Sequence, residues 1–273
     1  MSKKRKHKYK TCIITFLDIL GFKKVMENET DPNVILEKLK IFEYYNEDQR
    51  PFRRGEPYFF KFSDMAIRVR NVLSRSNIKY PQGILFFELL DLVHLQTNMV
   101  ANDIFIRGAV VIDELYYEKK NVFGPGFNRA YKFESQIAKF PRIVIDPEIF
   151  KFLRSASDLF KKREHNLKME MSDIKNNIRK DADGLYFIDY LRAIADECDD
   201  VEEYLSFVLR HKEVIVNNYK KNKKDFKIRT KTNWLIRYHN STILKLSKSF
   251  FRWLLKETKF TVKDLLIKRR DLL

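Results

Sequence analysis

The stretch TCIITFLDILGFKK, residues 11–24, ends an apolar, β-branched run on a carboxylate, Asp18, and follows it with Gly21 and a change to basic, helical character. Thr11–Asp18 has the composition of a buried strand, which Gly21 closes. A charge at the end of such a strand costs free energy unless a cation or a set of donors compensates it. The position of Asp18 therefore predicts a paired or functional carboxylate.

Outward from this strand, Asp31 and Pro32 form a cap with proline in the first turn, and NVILEKLKIFEYY (33–45) repeats apolar residues at helical spacing. EPYFFKFSDMAIRVR (56–70) has two β-like runs either side of Ser63 and Asp64, which predicts a hairpin. Pro81 opens a second helix carrying Ile84, Leu85, Leu92, Leu95 and Met99. IFIRGAVVID (104–113) is a third strand, NRAYKFESQIAKF (128–140) a helix, and RIVID (142–146) a strand stopped by Pro147. This order predicts an α+β fold, with helices on one face of a mixed sheet, related to the ferredoxin-like and palm folds. The expected organisation is a basic N-terminal arm (1–9), a main domain (10–192) with a polar, basic insertion near 155–180 and a last strand in GLYFIDYL (184–191), and a helical extension (193–273).

Composition narrows the function less than the pattern does. The 273 residues are 44% hydrophobic, and a net charge of +17 suits an anionic partner or a solvated surface. Charge alone does not choose between nucleotide, nucleic acid and membrane surface. Two distant cysteines, Cys12 and Cys198, exclude a disulfide framework and fit a reducing cytoplasm. No apolar run promises a membrane span and MSKKRKHKYK lacks a signal-peptide core, so a cytoplasmic protein is expected. The histidines, at 7, 94, 165, 211 and 239, have no metal-ligand spacing, and no Walker loop, nucleophile elbow or dinucleotide fingerprint is present. His239 is expected to be a partly buried helix residue without a catalytic role.

If the hairpin lies beside the first strand, Asp18 and Asp64 meet. Two carboxylates so placed repel one another and are best tolerated with a divalent cation between them. Each has a simpler explanation taken singly, as a turn-bonding or turn-forming residue.

FLDILGF (16–22), KFSDM (61–65) and FGPGFNRAYKFE (123–134), in this order and at these separations, resemble the catalytic domain of the class III nucleotide cyclases over residues 10–150 and as far as 192. The resemblance implies that Asp18, Asp64 and the carbonyl of Ile19 ligate two Mg²⁺ or Mn²⁺ ions per active site. Such ions, about 3.5–4 Å apart, activate the ribose 3′-hydroxyl and neutralise the triphosphate. It also implies a homodimer whose composite sites face the carboxylates of one chain with Asn128 and Lys132 of the other. Asn128 and Lys132 share a helix face near its start, where N–H groups meet phosphate oxygens. The family has arginine where this chain has Lys132, which keeps the charge but loses the planar fork. Arg129 points elsewhere on the helix.

The family's purine-selecting positions hold Phe60 and Asn121 here, with Lys61 one place out of register. An aromatic ring shrinks a base pocket and an amide both donates and accepts. In this the chain is similar to the pyrimidine cyclases of bacterial Pycsar antiphage systems, which implies that a ribonucleoside triphosphate, UTP or CTP, is the substrate and a cyclic nucleotide the signal. Two alternatives stand beside it: an adenylate or guanylate cyclase with a rearranged pocket, and an inactive cyclase-like protein that binds nucleotide or, through its basic surface, nucleic acid.

Overall fold

The computed structural model describes residues 8–44, 57–74, 80–118, 121–155 and 164–273. Most of the expected N-terminal arm and the segment 156–163 of the expected insertion lie outside the described residues. The chain divides into two compact units, one of residues 1–92 and 106–188, the other of residues 93–105 and 189–273.

The first unit is built on an eight-stranded mixed sheet. Its strands are β1 (Lys10–Ile19), β2 (Tyr58–Phe62), β3 (Met65–Asn71), β4 (Ile106–Glu118), β5 (Asn121–Phe123), β6 (Ile143–Ile145), β7 (Ile178–Lys180) and β8 (Tyr186–Ile188). The order is β2-β3-β1-β4-β6-β8-β7, with β5 paired to the end of β4. All pairings are antiparallel except β4 with β6. β1 is central, and Cys12–Leu17 are all buried, as expected of a strand covered on both faces.

Side chains alternate across that strand, so its two faces meet different partners. Cys12, Ile14 and Phe16 join Ile67, Val69, Val111 and Ala130 under the Pro125–Lys132 helix. Thr15, on the other face, donates from Oγ1 to Glu88 Oε1 at 2.7 Å, and Glu88 belongs to the Gly83–Ala101 helix. Helices therefore cover both faces of the sheet, which corrects the one-faced arrangement expected from the sequence. Element order alone does not reveal which face a crossover takes.

The Glu88 side is held by charge. Arg68 Nε lies 2.8 Å from Glu88 and its Nη2 2.7 Å from Asp91, while Arg70 reaches the same two carboxylates at 2.5 Å each. Burial pushes the Glu88 carboxyl up, but Arg68 and Arg70 outweigh it and hold it at about 2. By length and apolar composition the Gly83–Ala101 helix meets the requirement for a membrane span, contrary to the sequence expectation. Some 61% of its apolar window is buried inside the protein, as in a core helix.

The second unit is helical. Val201–Lys221 and Phe226–Ile243 pack as a pair, each capped by an aspartate, Asp200 or Asp225. Its interior holds a polar chain. His239 Nε2–H donates to the Leu265 carbonyl at 2.9 Å, so its Nδ1 accepts from His211 Nδ1–H at 2.8 Å, and His211 Nε2 then accepts from the Tyr190 hydroxyl at 2.7 Å. Every proton has one place when both imidazoles are neutral. His239 is thus fully buried rather than partly so.

Candidate functional site

The β-branched run of β1 fixes the register of its neighbours. Asp18 stands opposite Met65 of β3 and opposite Arg107 of β4. The hairpin turn is the two residues Ser63 and Asp64, with Ser63 at φ 55°. Ile19 N–H donates to the Asp64 carbonyl at 3.0 Å, which closes the turn onto the end of β1. Asp18, Ile19 and Asp64, 46 positions apart at the extremes, are thereby neighbours at one end of the sheet.

Asp18 does not stand alone there. Arg107 Nε lies 2.9 Å from Asp18 Oδ2 and 2.7 Å from Glu134 Oε1. The Asp18 side chain is 17% exposed and that of Glu134 3%, so one guanidinium answers two carboxylates with little water between them. Glu134 continues the buried face of Gly126 and Ala130, at the next i+4 position. The expected continuous helix over 128–140 is α-helical only to Lys132; Phe133–Ile137 is a π-helical turn closed by Ala138 N–H to the Phe133 carbonyl at 2.9 Å.

The Pro125–Lys132 helix lies close on the sheet because of its glycines. A Cβ on Gly126 would meet Ile14 Cδ1 at 2.3 Å, and Gly124 takes φ 133° at the helix start. Phe127 and Tyr131 set their rings edge-on to Phe16, at 6.2 and 5.7 Å between centroids. The helix therefore covers the sheet face to which Phe16 and Asp18 belong. Asn128 and Lys132 are exposed on it. Arg129 turns to the buried Asp146, Nε to Oδ2 2.5 Å, and is committed there.

The remaining predicted residues are distributed differently. Phe60 is 8% exposed and packs in the core with Cys12, Ile67 and Val69. Lys61 pairs with Glu43. Asn121 is exposed at the start of β5, opposite Glu118. Asp18, Ile19 and Asp64 are thus gathered, Asn128 and Lys132 share an exposed helix face, and the base-selecting positions are split between core and surface.

No family model matches the chain, and no curated protein matches it.

Two carboxylates and a backbone carbonyl are hard oxygen donors of the kind Mg²⁺ and Mn²⁺ take. Among the described residues no group of three or more His, Cys, Asp and Glu side chains has metal-binding geometry. An ion held by two carboxylates and one carbonyl would have to complete its shell with water or substrate phosphate, as Mg²⁺ commonly does. Arg107 is a cation already seated against Asp18. Sequence reasoning missed Arg107 and Glu134; the signal for Arg107 was the charge in IFIRG, directly across the β1–β4 pair. The second unit has a cleft of about 490 Å³ lined by Cys198, Asp199, Tyr204, Phe250 and Trp253 among others, and none of the motifs falls in it.

Proposed function

We propose that this chain is a class III-type nucleotide cyclase, converting UTP or CTP to the 3′,5′-cyclic monophosphate and pyrophosphate as a homodimer with composite sites, in antiphage signalling. The observation that carries this reading is the gathering of Asp18, Ile19 and Asp64 at one sheet end, with the Asn128–Lys132 helix on the sheet face of Asp18. The strand order β2-β3-β1-β4, with helices after β1 and β3, is that of a ferredoxin-like unit and supports it. The defence role rests on resemblance alone.

In this reading Asp18, Asp64 and the Ile19 carbonyl hold the divalent ions. When bound, these supply acidity to the ribose 3′-hydroxyl and countercharge to the triphosphate. Asn128 of the other chain orients the ribose through its amide, and Lys132 sets a positive charge beside the transferring phosphoryl group. The 3′-oxygen bonds to the α-phosphorus as the bond to pyrophosphate breaks, and the hydroxyl proton passes to solvent water. Phe60 and Asn121 stand where purine cyclases carry purine-selecting residues, and Asn121 offers an amide to a pyrimidine edge.

One observation favours a second reading, a cyclase-like protein that binds nucleotide or nucleic acid without turnover: Arg107 already pairs with Asp18. Incubation of the pure protein with each ribonucleoside triphosphate and Mn²⁺, followed by mass spectrometry, separates them. A cyclic pyrimidine nucleotide is expected. A cyclic purine product overturns the base choice, and nucleotide binding without product selects the second reading.

A further inference from the structure

The end of the second unit's helical pair concentrates charge around one exposed ring. Lys220, Lys221, Lys223, Lys224, Lys227 and Arg229 are all exposed, against a single acid, Asp225. Asp225 accepts from Ile228 N–H at 3.0 Å and caps the second helix. Lys223 Nζ donates to the Leu273 carbonyl at 2.6 Å. Among the described residues Lys220, Lys221, Lys224 and Lys227 have no carboxylate partner. Phe226, in their midst, is 75% exposed, more than any other aromatic of the described residues. The pair is fastened near its end by Thr232 Oγ1 donating to Asn218 Oδ1 at 3.0 Å, so these groups are presented together.

Among the described residues no carboxylate answers Lys220, Lys221, Lys224 or Lys227 and no aromatic ring contacts Phe226. Like charges so close repel one another, and the ring buries little apolar surface. Cations with a bare aromatic among them suit a partner with regularly spaced anions and flat apolar faces. We propose that this helix-pair end binds single-stranded nucleic acid, its lysines meeting phosphates and Phe226 stacking on an unpaired base. A duplex supplies the phosphates but hides the base faces. An anionic membrane supplies the charge, but its apolar layer calls for a larger apolar surface than one ring: Lys224, Asp225 and Lys227 flank Phe226, and Ile228 is half-buried. The surface belongs to the second unit and its binding is independent of the cyclase reading.

The test is fluorescence anisotropy of the whole protein with a labelled oligouridylate and with a labelled RNA duplex of equal length. If about five phosphates are engaged, affinity for the single strand should fall roughly 100-fold between about 50 and 200 mM salt. Phe226→Ala should weaken single-strand binding about tenfold and duplex binding little. The triple variant Lys220→Glu, Lys224→Glu, Lys227→Glu should abolish single-strand binding while helicity and Tm stay at wild-type values. Unchanged affinity in the triple variant, or an equal effect of Phe226→Ala on both nucleic acids, overturns the proposal. So does binding to phosphatidylserine vesicles without binding to the oligouridylate.

Discussion

Arg107 and Asp18 face each other across the β1–β4 pair with Nε 2.9 Å from Oδ2, and the same Nε reaches Glu134 at 2.7 Å. A divalent ion bound at Asp18, as proposed, would therefore compete with a resident cation. Removing the guanidinium leaves Glu134 buried without this partner, a loss of about 3 kcal/mol. Arg107→Gln should lower Tm and bind Mn²⁺ more tightly than wild type without nucleotide. Added Mn²⁺ should recover more of Tm in the variant than it adds to wild type. Calorimetric titration with a thermal scan checks both; equal Mn²⁺ affinity in the two proteins removes Asp18 from the metal site.

Asp18→Ala and Asp64→Ala should each abolish cyclic product and leave a folded chain. Asp64 sits in a two-residue turn, and Arg107 keeps Glu134 when Asp18 is truncated. Turnover measured by mass spectrometry alongside circular dichroism decides it. Activity retained in either variant rejects the ligand assignment.

Asn128 and Lys132 are exposed on one helix face, and in the proposed homodimer they would serve the other chain's site. Mixing Asp64→Ala with Asn128→Ala chains should restore activity, because each mixed dimer holds one intact site and one doubly defective site. Mixtures no more active than their parents reject the shared site.

Asn121 is exposed, so Asn121→Ala should change stability by less than about 0.5 kcal/mol. If the amide reads the base edge, UTP and CTP should become less well discriminated while the triphosphate still binds. Comparison of kcat/KM for the two substrates reads this out. Phe60 is a poorer probe, since truncating a core phenylalanine costs about 3–5 kcal/mol by itself.

Acid should unfold the second unit through its histidines. Burial depresses His239 to about 4 and takes His211 well below its ordinary value, with Lys212 adding to the effect on His239. A folded pKa below the unfolded one means that the unfolded chain binds the extra proton. The stability is fully present above about pH 6.5 and is lost as pH falls toward 4, by about 3 kcal/mol from His239 alone. His239→Asn should flatten this slope in denaturant titrations, although it lowers stability at neutral pH. An unchanged slope assigns the acid sensitivity elsewhere. Glu88, held at about 2, acts in a separate window, losing its contribution only as pH falls below the usual carboxylate range.

Local chemistry accounts for what was legible in advance. The β-branched run before Asp18, the turn at Ser63 and Asp64, and the apolar spacing after Pro81 each carry their conformation within a few residues. They determined the elements, their order and the candidacy of Asp18, Asp64 and Asn128. β5 and β7, three residues each, were too short to show a period and are strands because β4 and β8 pair with them.

The tertiary structure alone decided what stands beside each of those residues. Arg107 lies 89 positions from Asp18, and Glu134, on a different element again, meets the same guanidinium only once strand and helix are packed. Phe60 could face a pocket or the core, and the β2–β3 register placed it in the core. Whether a charge is paired or a ring covered depends on strand alignment and on the face each crossover takes. Those are set by packing the whole sheet at once, and no local window of the sequence contains them.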